Sequence, residues 1–78
     1  NPMESVEAAE YEDFLRSITA FLNEQIEAGI RYVNVKAIQE MGDFEVTPGR
    51  VRVLDGLSEL GYYWDQDSSG EYIVDLND

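Results

Sequence analysis

Four of the six glycines, Gly29, Gly42, Gly61 and Gly70, stand where an apolar pattern stops, and they cut the chain into pieces too short for most folds. Ahead of Gly29 runs one long helical pattern. Between Gly29 and Gly61 lie a brief strand-like stretch and two short helical ones. Beyond Gly61 come two aromatic and β-branched runs around a turn. In 78 residues that is one small domain of helices with a little sheet. A chain of this size buries only about 60% of its unfolded surface. It contains no cysteine and no histidine. Disulfides and thiolate metal sites are therefore excluded, along with the commonest general base and the usual near-neutral pH switch.

From about Ala8 to Ala28 the spacing predicts a helix. Tyr11, Phe14, Leu15, Ile18, Phe21, Leu22, Gln25 and Ile26 fall on one broad face; Glu10, Glu12, Asp13, Arg16, Ser17, Asn23, Glu24 and Glu27 fall mostly on the other. Residues 1–7 are expected to be a flexible end, with Asn1-Pro2 read as a cloning remnant ahead of a native Met3. Residues 8–78 are then the folded domain. Ile30-Arg31-Tyr32-Val33 reads as a brief strand. Asn34 is a candidate N-cap for a two-turn helix, Val35 to Met41, with Ala37, Ile38 and Met41 turned inward and Gly42 as its stop. Phe44 and Val46, in the turn that follows, are expected to plug the core.

The next helix is expected from Pro48 to Leu60. Thr47 is the N-cap candidate, Pro48 suits the first helical position and Gly61 suits the stop. Val51, Leu54, Leu57 and Leu60 form its apolar face, and Arg50 and Arg52 project near its start. Tyr62–Gln66 and Glu71–Leu76 make a hairpin around the turn Asp67-Ser68-Ser69-Gly70, with Tyr62 and Trp64 on one face and Tyr63 on the other.

The order is helix, short strand, helix, turn, helix, hairpin. Two short helices joined by a turn holding a glycine form a helix-turn-helix, and a following hairpin would be its wing. On Val35–Met41, on Val46-Thr47-Pro48-Gly49-Arg50-Val51 and on the ending Leu57-Ser58-Glu59-Leu60-Gly61-Tyr62, the chain resembles the winged helix-turn-helix superfamily from about Tyr11 to Leu76. Its acidity is similar to that of small winged-helix proteins of haloarchaea and their viruses. The resemblance implies an α+β fold of three helices plus a C-terminal hairpin wing, with a short strand near Arg31–Val33. It also implies a DNA-binding function: a small cytoplasmic transcription regulator, adapted to high salt, reading double-stranded DNA as a homodimer. By position, the DNA-contacting residues would be Lys36, Thr47, Gly49, Arg50 and Arg52, with Gln66, Ser68, Ser69 and Gly70 at the wing tip. No cofactor is expected.

The charge complicates that expectation. Seventeen acids face five bases, for a net charge of −12. Three readings compete: adaptation to a salt-rich cytoplasm, where repulsion is screened over about 3 Å at 1 M; an acidic interaction module or DNA mimic; and a disordered acidic tail, which 44% apolar content argues against. Asp55 and Glu59 sit on the would-be recognition helix, and the wing carries Asp65, Asp67 and Glu71 with no basic residue. DNA-binding proteins draw most of their affinity from neutralising phosphates. The alternative function is therefore a winged helix for protein contacts, meeting a basic partner through Tyr11, Tyr63, Trp64 and Tyr72. Structural roles compete for the same side chains. Arg50 and Arg52 can pair with Asp55 or Glu59, Lys36 with Glu40, and the hairpin aromatics with one another.

Enzyme chemistry finds no support, since serines and threonines lack an evident base. Asp65–Glu71 resembles the start of a calcium loop, but its closing Glu is misplaced. No apolar run reaches the ~20 residues of a membrane span.

Overall fold

The computed structural model describes the backbone of residues 2–77 and the side chains of residues 7–77. Its elements are α1 (Pro2–Glu27), β1 (Tyr32–Asn34), α2 (Val35–Met41), α3 (Arg50–Leu60), β2 (Tyr63–Gln66) and β3 (Tyr72–Asp75). The helix expected from Ala8 thus begins at Pro2, and the strand expected at Ile30–Val33 lies at Tyr32–Asn34. Glu7, Ala8, Ala9 and Glu10 are all exposed, and the first side chain of α1 packed against the core is Tyr11. At 26 residues, α1 accounts for the long dimension of a molecule measuring 43 × 27 × 21 Å.

The helix ends are held by backbone geometry. Gly29 and Gly61 adopt φ of +81° and +84°, a region that favours glycine. At each, two N–H groups turn back onto the last helical turn: Ile30 N donates to Gln25 O at 2.9 Å, and Tyr62 N donates to Leu57 O at 2.9 Å. Asn34 caps α2 as expected, its Oδ1 accepting from Lys36 N at 2.8 Å. The start of α3 differs from expectation. Gly49, not Thr47, is the N-cap; it is extended and no side chain caps the helix. Pro48 lies before the helix instead of opening it, because its carbonyl accepts from Gln39 Nε2 at 2.7 Å and ties the turn to α2. Ser17 Oγ donates to Asp43 O at 3.0 Å and ties the same turn to α1.

The three strands form one antiparallel sheet in the order β1-β3-β2. Register places Val33, Val74 and Trp64 in one row across the sheet, and Tyr32, Asp75 and Tyr63 in the next. Adjacent rows face opposite sides. The Val33–Val74–Trp64 side meets the helices. There the core forms from Phe14, Ile18, Phe21 and Leu22 of α1, Val35 and Ile38 of α2, Val53, Leu54 and Leu57 of α3, and Val33 and Val74 of the sheet. Helix α1 crosses α3 at Gly56, where a Cβ would stand 2.9 Å from Phe14 Cε1. Three helices and a three-stranded antiparallel sheet make a winged-helix-like α+β fold, with β2 and β3 in the place of the wing.

Several inward assignments are corrected. Val51 is 67% exposed, and its place in the α3 stripe is taken by Val53, which is fully buried. Both valines sit at helical spacing from Leu57 or Leu54, so the way α3 packs into the core decides between them. Met41 and Val46 are exposed at 71% and 81%. Phe44 alone fills the turn, its ring 5.3 Å from that of Phe14.

Candidate functional site

The outer side of α3 faces away from the core. It carries Val51, Asp55, Ser58 and Glu59, all exposed and spaced along one helical face. The two arginines of this helix leave that face in opposite directions. Arg50, at the first helical position, lies over the Tyr72 ring of the wing at 4.9 Å. Arg52 turns the other way, over Phe14 at 4.9 Å and Tyr11 at 6.0 Å, both on α1. Neither forms an ion pair with Asp55 or Glu59. Electron-rich aromatic faces attract a guanidinium without needing a carboxylate, and these rings are fixed by the core.

Lys36 likewise pairs elsewhere than expected. Its Nζ lies 3.0 Å from Glu71 Oε1 on the wing, not beside Glu40. Lys36 and Arg50 thereby border one shallow cleft between α2, the start of α3 and β3, together with Asn34, Gln39, Gly49 and Tyr72. The remaining bases are dispersed. Arg16 pairs with Glu12 and Asp13 along α1, and Arg31 donates to Asn77 Oδ1 at 3.3 Å beside the sheet. Of the expected DNA-contacting set, the structure brings together Lys36, Gly49 and Arg50. It places Arg52 on another side, and leaves Thr47 exposed in the turn without a capping bond.

At the wing tip, Gln66, Ser68 and Ser69 are exposed. Asp67 organises this turn: its Oδ1 accepts from Ser69 Oγ at 2.6 Å, Ser69 N at 2.9 Å and Glu71 N at 3.0 Å. Chiefly through the Ser69 hydroxyl, and with the backbone N–H groups adding, these bonds hold the carboxyl below its ordinary value; partial loss of surrounding water opposes them. Ser69 is thus engaged within the turn, and Gln66 Nε2 donates to Gly70 O at 3.0 Å.

The four aromatics expected at a partner surface separate. Trp64 and Tyr72 are half-buried and pack edge to face, 5.6 Å apart, with Trp64 Nε1 donating to Ser58 Oγ at 3.0 Å. Tyr11 is half-buried beside Phe14. Tyr63 is 80% exposed. Its companion on the outer side of the sheet is Tyr32, 63% exposed, which sequence reasoning passed over. The signal was there: a strand that buries Val33 turns Tyr32 outward.

No known protein family, curated protein or solved structure matches the chain. The functional reading therefore rests on the geometry. Among the described residues no helix is long and apolar enough to cross a membrane.

Proposed function

We infer that this winged helix is a protein-interaction module that receives a cationic partner, and not a reader of DNA sequence. The observation that carries this reading is the outer face of α3. Val51, Asp55, Ser58 and Glu59 stand where a recognition helix would meet base edges and phosphates, while Arg50 and Arg52 are drawn aside onto aromatic rings. Carboxylates on that face repel phosphate. Few of the five bases remain to release counterions from a duplex. An apolar residue flanked by acids instead suits a partner segment with basic and aliphatic side chains.

The test is selection of duplexes by the purified domain from a genomic library, at low and at molar salt. No duplex should be enriched. An enriched duplex whose binding is lost in Arg50→Ala or Lys36→Ala would overturn the reading.

One observation favours DNA as a second reading. Lys36 and Arg50 border the same cleft, next to the start of α3, where no side chain caps the first-turn amides. Such a helix start attracts phosphate. Under this reading those two residues and Gly49 would hold one backbone phosphate, and Asp55→Asn would strengthen binding to any duplex regardless of sequence.

A further inference from the structure

We propose that the outer face of the sheet is a second acceptor surface, built to take an arginine side chain of a basic partner between Tyr32 and Tyr63, above Asp75. The sheet register carries the argument. Tyr32 on β1 and Tyr63 on β2 both pair with Asp75 of the central strand, so the three side chains project from one face in one row. In an antiparallel sheet one of Asp75's two cross-strand pairs is hydrogen-bonded and the other is not, which sets the two tyrosine Cα atoms about 10 Å apart. A cation midway between the rings lies within the ~6 Å that cation–π attraction requires of each. Asp75 stands between the two tyrosines in that row, so the same cation is near its negative charge. Both bonds that Asp75 accepts among the described residues, from Asn77 N at 2.9 Å and Asn77 Nδ2 at 2.8 Å, fall on Oδ1. That fixes the carboxylate, and no bond among the described residues falls on Oδ2.

The next row on the same face supplies the surroundings. Ile73, half-buried, lies between Asn34 and Asp65. It offers an apolar floor for the methylene stem of an arginine, while Asp65 adds a second negative charge. Both tyrosines are well exposed, in a domain whose other aromatics with described burial are buried or half-buried. Charge complementarity selects the occupant. A second copy of this chain would bring Asp75 and Asp65 against a surface of the same sign, at −12 per copy. A basic segment removes that conflict. Arginine is preferred over lysine because its planar, weakly hydrated group suits aromatic faces and keeps N–H donors for a charge-assisted bond to the carboxylate. The surface is distinct from the outer side of α3, and the two stand or fall separately.

The test is an amide-resolved NMR titration of the intact domain with a blocked glycine–glycine–arginine–glycine–glycine peptide and its citrulline counterpart. The arginine peptide should shift Tyr32, Tyr63 and Asp75 in a saturable way, and the uncharged citrulline peptide should not. Tyr32→Ala and Tyr63→Ala should each weaken binding about three-fold, Tyr63→Phe should preserve it, and Asp75→Asn should weaken it. Shifts spread equally over Asp13, Glu24 and Asp55, or unchanged in the Tyr32→Ala/Tyr63→Ala double variant, would overturn the proposal. The titration contains no DNA, so a duplex that binds the domain would remove the interaction reading of α3 and leave this result standing.

Discussion

Gly56 meets Phe14 where α3 crosses α1: a Cβ at position 56 would lie 2.9 Å from Phe14 Cε1 and 3.0 Å from Ile18 Cδ1. Glycine inside a helix ordinarily costs about 1 kcal/mol relative to alanine. Here that cost is offset by the close approach of two helices. Phe14 is 7% exposed and Ile18 fully buried, so neither has open space to yield into. Overpacking costs about 1–3 kcal/mol. Gly56→Ala is therefore expected to lower stability by about 1 kcal/mol despite its better helix propensity, and Gly56→Val by more. Urea unfolding of the two variants checks the order.

Asn34 joins β1 to α2 and caps a helix of only seven residues. With so few turns, the cap is a large share of what holds the helix start. Asn34→Ala should cost about 1 kcal/mol and Asn34→Asp much less. Hydrogen exchange at Lys36 N, the amide bonded to Asn34 Oδ1, should rise in the alanine variant alone.

Arg52 stacks on Phe14 and Tyr11, so its role is to join α3 to α1. Arg52→Ala should lower stability by about 0.5–1 kcal/mol. Binding of any partner to the outer face of α3 should change little. A variant that keeps full stability and loses partner binding would show that Arg52 leaves those rings to make the contact.

The Asp67 turn supplies a pH dependence of known sign. Its carboxyl is held below the ordinary Asp value of 3.8 when folded. A lowered folded pKa contributes stability that is present above that ordinary value and is lost as pH falls through the folded one. Carbon-detected NMR should place the Asp67 midpoint below the ordinary Asp value of 3.8. Hairpin order should weaken as that midpoint is crossed, and Ser69→Ala should move the midpoint back up.

Three ion pairs occur among the described residues, Arg16–Glu12, Arg16–Asp13 and Lys36–Glu71. Seventeen acids against five bases leave most carboxylates to repel one another. Raising potassium chloride to molar concentration shortens the screening length to about 3 Å. The thermal midpoint should then climb by several degrees, the equivalent of about 1 kcal/mol in a domain of this size. A midpoint indifferent to salt would remove the reading of this charge as salt adaptation.

Much of this architecture is legible in the chain because its punctuation is local. Asn34, Gly42 and Gly61 act on their own neighbours, and so do Asp67 and Gly70 in the hairpin turn. What sequence reading misplaces depends on segments far apart in the chain. Thr47 has the chemistry of a cap, but Gln39 binds the Pro48 carbonyl and the helix starts later. Val51 and Val53 are equivalent in spacing until the packed core takes the second. The same holds for the candidate site. Arg50 and Arg52 were visible as charges, yet their partners, Tyr72 and Phe14, lie 22 and 38 residues away. Lys36 reaches 35 residues to Glu71. The Tyr32–Asp75–Tyr63 row exists only once the three strands have found their register.

The strand order β1-β3-β2 carries a consequence for how the domain is made. The central strand is the last of the three in the chain. During synthesis, β1 and β2 leave the ribosome with no strand to pair with, and neither gains one until Tyr72–Asp75 emerges. Two helices of the core can meet earlier, but the sheet waits for its last strand, which takes β1 on Ile73–Asp75 and β2 on Tyr72–Asp75. A lesion in Ile73, Val74 or Asp75, which pair on both sides, therefore unmakes both halves of the sheet at once.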